Sequence, residues 1–324
     1  MKQFTYKDVE EAYARIRDYV VETPLEKSIF LSNDDKEVFF KLECLQKCRS
    51  FKLRGCLNKM LSLTDEEKAK GVSTMSSGNH GVCLSMGARM LGIDKTEIIV
   101  PATTPQSKID KIEYYGGNVR KLGNNYDEAH ALGLKVIEES GMTFVDSYDK
   151  DPVVYAGQGT IAVEILKQNP DIDTILVPIG GGGMLTGIAV AAKGINPNVR
   201  VIGVHTAACP ALIKSYEDGV CYEAYDTEES ICDALVGGIG CLCYEMAKDY
   251  VADLVMVSEK SIRKAVAYMA TQEKYIIEPA SAVTLAALWE HGERIGGKKI
   301  ALVCSGGNLD GDFLLELLEE YNSK

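Results

Sequence analysis

Thr174-Ile175-Leu176-Val177-Pro178-Ile179-Gly180-Gly181-Gly182-Gly183-Met184 is the stretch on which the reading of the fold turns. Ile175-Leu176-Val177 is a wholly apolar strand, the pattern of a parallel sheet covered on both faces. Four glycines follow, and then a helix-like run from Met184 to Ala192. Bare glycine N–H groups at a helix N-terminus, where the helix dipole adds partial positive charge, form a natural seat for a phosphate. The spacing is not that of the dinucleotide fingerprint, because Leu185 stands where GxGxxG counted from Gly180 requires its third glycine. By itself the run serves equally well as a tight turn between a closely packed strand and helix.

The same alternation extends in both directions. Before the glycines, from Gly71, the spacing predicts strands at Val72–Met75, Glu97–Val100, Asn118–Leu122 and Met142–Val145. Between and after them it predicts helices at Gly81–Leu91, Pro105–Tyr115, Tyr126–Ser140 and Val153–Leu166. Beyond the glycines come strands at Val199–Val204, Leu254–Val257 and Lys299–Val303, with helices at Glu259–Thr271, Ala280–His291 and Gly311–Tyr321. Tyr6 to Val21 reads as an amphipathic helix and Glu37–Glu43 as a strand; Glu217–Gly240 reads as loop and turn. Strands alternating with helices of this length make the chain α/β, with mostly parallel sheet flanked by helices.

Three further stretches carry chemistry-bearing residues at strand-to-helix junctions. In Ser50-Phe51-Lys52-Leu53-Arg54-Gly55 a lysine sits between a Phe and a leucine, next to a small hydroxyl residue. Desolvation disfavours the charged form of an amine, and a neutral amine is a nucleophile able to form a Schiff base. Ser76-Ser77-Gly78-Asn79-His80-Gly81 follows a strand and opens a helix; its hydroxyls, amide and bare N–H groups suit a carboxylate as well as a plain N-cap. Ser305-Gly306-Gly307-Asn308 follows the strand that ends at Val303-Cys304.

In this order, with Thr23-Pro24-Leu25, Ala156-Gly157-Gln158-Gly159-Thr160 and Glu278-Pro279, these motifs resemble the serine/threonine dehydratase and serine racemase family of pyridoxal-phosphate enzymes, of the tryptophan-synthase-β-like fold type II. The resemblance runs along nearly the whole chain. It implies a small domain over residues 71–147, which binds the substrate carboxylate, inserted in a large cofactor-binding domain made of 1–70 and 148–324. The active site then lies in the cleft between them. By the same resemblance Lys52 carries pyridoxal 5'-phosphate, Phe51 packs near it, and Gly180, Gly181, Gly182, Gly183 and Met184 hold its phosphate. Asn79 bonds the ring hydroxyl and Ser305 the pyridine nitrogen, while Ser76, Ser77 and His80, beside Asn79, hold the substrate carboxylate.

The implied activity is β-elimination from a small β-hydroxy amino acid such as L-threonine or L-serine, giving a 2-oxo acid and ammonia. A neutral Ser305 on the pyridine nitrogen suits elimination more than transamination. Ser77 keeps a second activity in view, because the racemase branch uses a serine there as a second acid/base opposite the lysine; Lys52 and Ser77 would be the two bases. A non-catalytic ligand-binding protein on the same scaffold is the remote alternative, against which the intact Lys52 counts. His130 lies about where a relative handling dicarboxylates has arginine, which lowers the odds for hydroxyaspartate. The sequence stops at Lys324, so the expectation is a chain without the carboxyl-terminal regulatory domain of biosynthetic threonine deaminases.

Composition narrows the partners. The formal charge of −12 argues against nucleic acid or an anionic membrane surface. No apolar run approaches membrane-spanning length. The ten cysteines show no CxxC spacing, which fits reduced, buried thiols and a cytoplasmic protein, expected as a homodimer. No metal site is expected. The strand Val199–Val204 runs into His205-Thr206-Ala207-Ala208-Cys209-Pro210, and no carboxylate appears before Glu217 to bind a hard divalent cation.

Overall fold

The computed structural model describes residues 3–124 and 126–323. Its strands are β1 (Leu25–Lys27), β2 (Glu37–Lys41), β3 (Val72–Met75), β4 (Thr96–Val100), β5 (Val119–Lys121), β6 (Thr143–Phe144), β7 (Thr174–Pro178), β8 (Arg200–Thr206), β9 (Asp253–Val257) and β10 (Lys299–Val303). They form two sheets, one in the order β1-β2-β10-β7-β8-β9 and one in the order β5-β4-β3-β6. Every pairing is parallel except β1 with β2. The α/β reading therefore holds, with two mostly parallel sheets flanked by helices.

Both faces of the larger sheet are covered. Along β7, Ile175 and Val177 join one apolar cluster, while Leu176 between them joins another. Ala301 and Val303 of β10 alternate with Ile300 and Leu302 in the same way. In the smaller sheet, Ile98 and Val100 of β4 face one cluster and Ile99 the other. Side chains that alternate across a strand with both faces apolar produce the unbroken hydrophobic runs seen in the sequence.

The helix Pro152–Gln168 passes close to two others, and glycines permit the approach. A Cβ on Gly157 would stand 2.7 Å from Gly55 Cα on the helix Lys52–Leu61, and one on Gly159 would stand 2.6 Å from the Gly187 carbonyl of the helix Gly183–Ile195. Where the first two helices meet, four charges are buried together. Arg54 bonds Glu43 Oε2 and Glu164 Oε1 at 2.7 Å each, and Lys41 Nζ meets Glu164 Oε2 at 2.6 Å. All four residues are shut off from solvent. Burial lifts the Glu43 carboxyl, but Arg54 and Lys41 outweigh it and hold the group below the usual glutamate range. Thr23 closes the set by donating to Glu43 Oε1 at 2.5 Å.

Some boundaries differ from expectation. The first helix, Tyr6–Ile16, stops five residues early and is held by a capping box between Thr5 and Asp8. Two segments for which the sequence predicts no element form helices, Asp65–Lys70 and Cys241–Tyr250. A third helix, Ala211–Asp218, runs into the start of the segment Glu217–Gly240. None of the described helices is long and apolar enough to cross a membrane.

Replacing Arg54 with Met leaves two buried carboxylates facing one lysine. Loss of one partner from a buried ion pair costs about 3–5 kcal/mol. The urea-unfolding midpoint of Arg54→Met should fall accordingly, and a midpoint within error of wild type would show that the cluster is not a structural clamp.

Candidate active site

Four strands deliver their following loops to one cavity of about 730 Å³. Phe51 and Lys52 come after β2, Ser76, Ser77, Asn79 and His80 after β3, Gly180 to Met184 after β7, and Ser305 after β10; all line this cavity. Thus the structure brings to one cavity every residue to which the resemblance gives a part in binding cofactor or substrate. They lie beyond the carboxyl ends of parallel strands, where open α/β sheets place their sites. The side chain of His130 lies outside the described residues.

Lys52 opens its helix from a segment tied to the loop after β10. Phe51 N–H donates to the Ser305 carbonyl at 2.9 Å, Gly307 N–H to the Arg49 carbonyl at 2.9 Å, and Ser50 forms a bridge with Gly306. Arg49 takes a left-handed φ of 58°, so the chain can turn from this bridge into the helix. The Lys52 ammonium donates to the Ser147 carbonyl at 3.1 Å and lies 5.3 Å from the centroid of the Phe51 ring. Burial lowers its proton affinity below that of an ordinary lysine.

The tetraglycine loop is shaped by what surrounds it. A Cβ on Gly181 would overlap the Tyr148 ring, 2.1 Å away, and Gly182 takes φ +92° as the cap of the helix Gly183–Ile195. The Gly181 carbonyl accepts from Gly240 N–H at 3.0 Å, and the Gly182 carbonyl from the Thr186 hydroxyl at 3.0 Å. With those carbonyls engaged, the N–H groups of Gly180 to Gly182 have no backbone acceptor among the described residues. No acidic residue stands in the helix's first turn. The loop is therefore a donor-rich concavity suited to an anion.

Asn79 and His80 begin the helix Asn79–Met90. Asn79 Nδ2 donates to both carboxyl oxygens of Glu278, at 3.1 and 3.0 Å. The buried His80 ring uses both nitrogens: Nε2 donates to the Val145 carbonyl at 2.9 Å, which leaves Nδ1 to accept from the Cys56 thiol at 3.4 Å. Burial, with the nearby Lys52 charge, drops its pKa to about 4, so the imidazole is neutral at physiological pH. What His80 has left for a ligand is its main-chain N–H. Ser76 Oγ accepts from Gly78 N–H at 3.3 Å. Ser305 Oγ lies 3.0 Å from Ser281 Oγ, and Ser281 also accepts from Gly306 N–H at 2.7 Å, which fixes the serine pair.

Several residues of the site carried no clear signal in the sequence. Glu278 figured only as half of a Glu-Pro match, yet its carboxyl sits in the cavity wall, where a Cβ on Gly306 would come within 2.5 Å of it. Lys111 sits on the amphipathic helix Gln106–Tyr114 in a position that reads as a solvated surface lysine. Tyr148 lies in an irregular segment and packs its ring against Gly181 at the cavity. Outside the cavity, His205 Nε2 accepts from Leu212 N–H at 3.2 Å and Cys209 donates to the Gly237 carbonyl at 3.3 Å.

Glu278 gives the site a pH signature. Burial lifts its carboxyl from 4.5 to about 7, against the lowering effect of Asn79. Between those two values the folded protein holds a proton that the unfolded chain releases, so stability falls as pH rises through this window. Glu278→Gln removes that dependence. The cofactor-free variant should therefore gain in melting temperature relative to wild type at pH 8 but not at pH 4.5, and parallel curves for the two proteins would refute the assignment.

Comparison with known proteins agrees with this geometry. The family model described as pyridoxal-phosphate dependent enzyme matches residues 16–306. A protein of Thermotoga maritima named L-threonine ammonia-lyase is 40% identical over 308 residues, covering 94% of this chain and 76% of that protein. Among solved structures, maize serine racemase superposes with a TM-score of 0.89 at 32% identity, covering 99% of both chains. The processed form of threonine deaminase isoform 2 from Solanum lycopersicum gives 0.91 at 31% identity over 98% of this chain and 88% of that one. With the family match spanning most of its length and the motif loops converging on one cavity, the chain belongs to the pyridoxal-phosphate dependent enzymes.

Proposed function

We propose that this enzyme deaminates L-threonine, with L-serine as a second substrate, by β-elimination of water followed by hydrolysis, to give the corresponding 2-oxo acid and ammonia. The carrying observation is a desolvated Lys52 amine in one cavity with a tetraglycine anion seat, in a chain 40% identical to an L-threonine ammonia-lyase. The donor set fits pyridoxal phosphate. Lys52 is its attachment point, the N–H groups of Gly180 to Gly183 and Met184 would hold its phosphate, and Phe51 would pack beside it. Asn79 would donate to its ring hydroxyl, and Ser305 would meet its pyridine nitrogen. When bound, the cofactor supplies an electron sink for the pair left on the substrate's α-carbon.

The remaining work falls to the chain. Ser76, Ser77 and the N–H groups of Asn79 and His80 orient the substrate carboxylate at a helix N-terminus, where an anion is favoured. Lys52, low in proton affinity because it is buried, takes the α-proton as general base. The β-hydroxyl takes up a proton and leaves as water, and one water is taken up again as hydrolysis releases the 2-oxo acid and ammonia. The small sheet is read as the core of a substrate domain, 71–147, inserted in a cofactor domain made of 1–70 and 148–324. All ten cysteines are free thiols, which supports a reducing compartment such as the cytoplasm. A homodimer is proposed on family likeness and is open to light scattering.

Ser77 favours a second reading, racemisation with Lys52 and Ser77 as the two bases, since it lines the same cavity as the lysine. One experiment tests what the two readings share and a second separates them. Borohydride should fix the cofactor on Lys52, and Lys52→Ala should lose turnover by roughly three orders of magnitude; label on another lysine would sink the mechanism. Ser77→Ala should still form 2-oxo acid from L-threonine while any racemisation collapses. Loss of elimination with cofactor still bound would make Ser77 part of the elimination machinery.

A further inference from the structure

A directional chain of hydrogen bonds crosses the cavity wall from Lys111 to Glu278. Lys111 Nζ donates to Asn308 Oδ1. Asn308 Nδ2 donates to Asn79 Oδ1 at 2.6 Å and to the Cys48 carbonyl at 3.1 Å. Asn79 Nδ2 then donates to the two Glu278 oxygens. A side-chain amide turned end for end keeps its shape, so its orientation is decided by its partners. An ammonium only donates and a main-chain carbonyl only accepts. Caught between the two, Asn308 must present its NH₂ group to Asn79, and Asn79 must meet it with oxygen.

Glu278 cannot impose that orientation. A carboxyl that changes protonation near neutrality, as this one does, can either accept from an amide NH₂ or donate to an amide oxygen. We propose that Asn308, anchored by Lys111, is the positioning residue that keeps the Asn79 NH₂ group turned toward Glu278 and the cofactor. The inference rests on the reading that Asn79 donates to the cofactor's ring hydroxyl. It also ties the two sheets together. Lys111 stands on the helix between β4 and β5 of the smaller sheet, whereas Asn308 follows β10 of the larger one. The donor end of Asn79 is thus fixed only where the two lobes meet.

The experiment titrates the absorption of bound cofactor against pH and measures cofactor retention on dialysis, with melting curves to confirm folding. Asn79→Ala sets the reference displacement. Asn308→Asp is isosteric and still accepts from Lys111, but it offers Asn79 no N–H. Asn79 should then turn its NH₂ group to the new carboxylate and withdraw it from the cofactor. This variant should displace the spectral midpoint in the same direction as Asn79→Ala and weaken retention about tenfold, the equivalent of one charge-assisted hydrogen bond. Lys111→Met should do so by a smaller factor, because the Cys48 carbonyl still holds Asn308, and donor-only Lys111→Arg should match wild type. If Asn79→Ala moves the midpoint and Asn308→Asp does not, the positioning role is wrong while the Asn79 reading stands. If Asn79→Ala itself changes nothing, the Asn79 reading fails and takes this inference with it. Wild-type behaviour of Lys111→Met would remove Lys111 from the chain.

Discussion

The site hangs on four charges that never meet water. Arg54 lies two residues beyond Lys52, on the same helix, and its guanidinium is gripped by Glu43 after β2 and by Glu164 on the helix Pro152–Gln168. Lys41, at the end of β2, completes a set of two positive and two negative groups. Against a well-packed apolar alternative such a cluster adds little net stability, because desolvating the ions offsets their attraction. Its value is geometric. Guanidinium and carboxylates satisfy one another in few arrangements, and a one-turn slip of the lysine helix would strand them all. The pitch at which Lys52 enters the cavity is thereby tied to β2 and to the glycine-contacted helix behind it.

From that anchor the rest of the cavity follows from topology. β2, β10 and β7 are neighbours in the sheet and run the same way, so the loops after them emerge side by side. This places Lys52, Ser305 and the tetraglycine turn together although 128 residues of chain separate Lys52 from Gly180. The chain is acidic, at −12, yet its cavity is lined by the glycines after β7, and the N–H groups of Gly180 to Gly182 have no backbone acceptor among the described residues. Oriented backbone dipoles at short range outweigh a diffuse surface charge that salt screens. An anionic cofactor can therefore be bound by an anionic protein.

How much of this could be read from the sequence depended on the kind of signal. Some elements with an apolar face were found almost to the residue: β7 was expected at Thr174–Val177 and ends at Pro178, and the helix Tyr126–Ser140 has the bounds predicted for it, whereas Cys241–Tyr250, which buries Leu242, Cys243, Met246 and Ala247, was not expected. Segments without such a face were missed. Asp65–Lys70 has no buried residue, so periodicity could not betray it; its Thr64–Glu67 capping box was the available sign. β1 has three residues and holds its place by antiparallel pairing at a sheet edge, where little burial is required. In the site, residues at motif positions were legible because glycines and a junction lysine leave local traces. Lys111 left none. Its partner lies 197 residues away, and only the folded chain brings the two together.

The groups that remain share a bias imposed by burial. Desolvation moves Lys52 down, His80 down to about 4 and Glu278 up to about 7, each toward its uncharged form. A neutral imidazole cannot serve as the positive end of a carboxylate clamp, and a carboxyl poised near neutrality cannot fix the direction of an amide beside it. Direction has to come from groups whose donor character does not depend on pH. The main-chain N–H groups after β3 and β7 are of that kind; the ammonium of Lys111, whose proton affinity burial lowers, donates without accepting as long as it is protonated. In this cavity the titratable residues are free to exchange protons because the orientation of the ligands is entrusted to groups that do not.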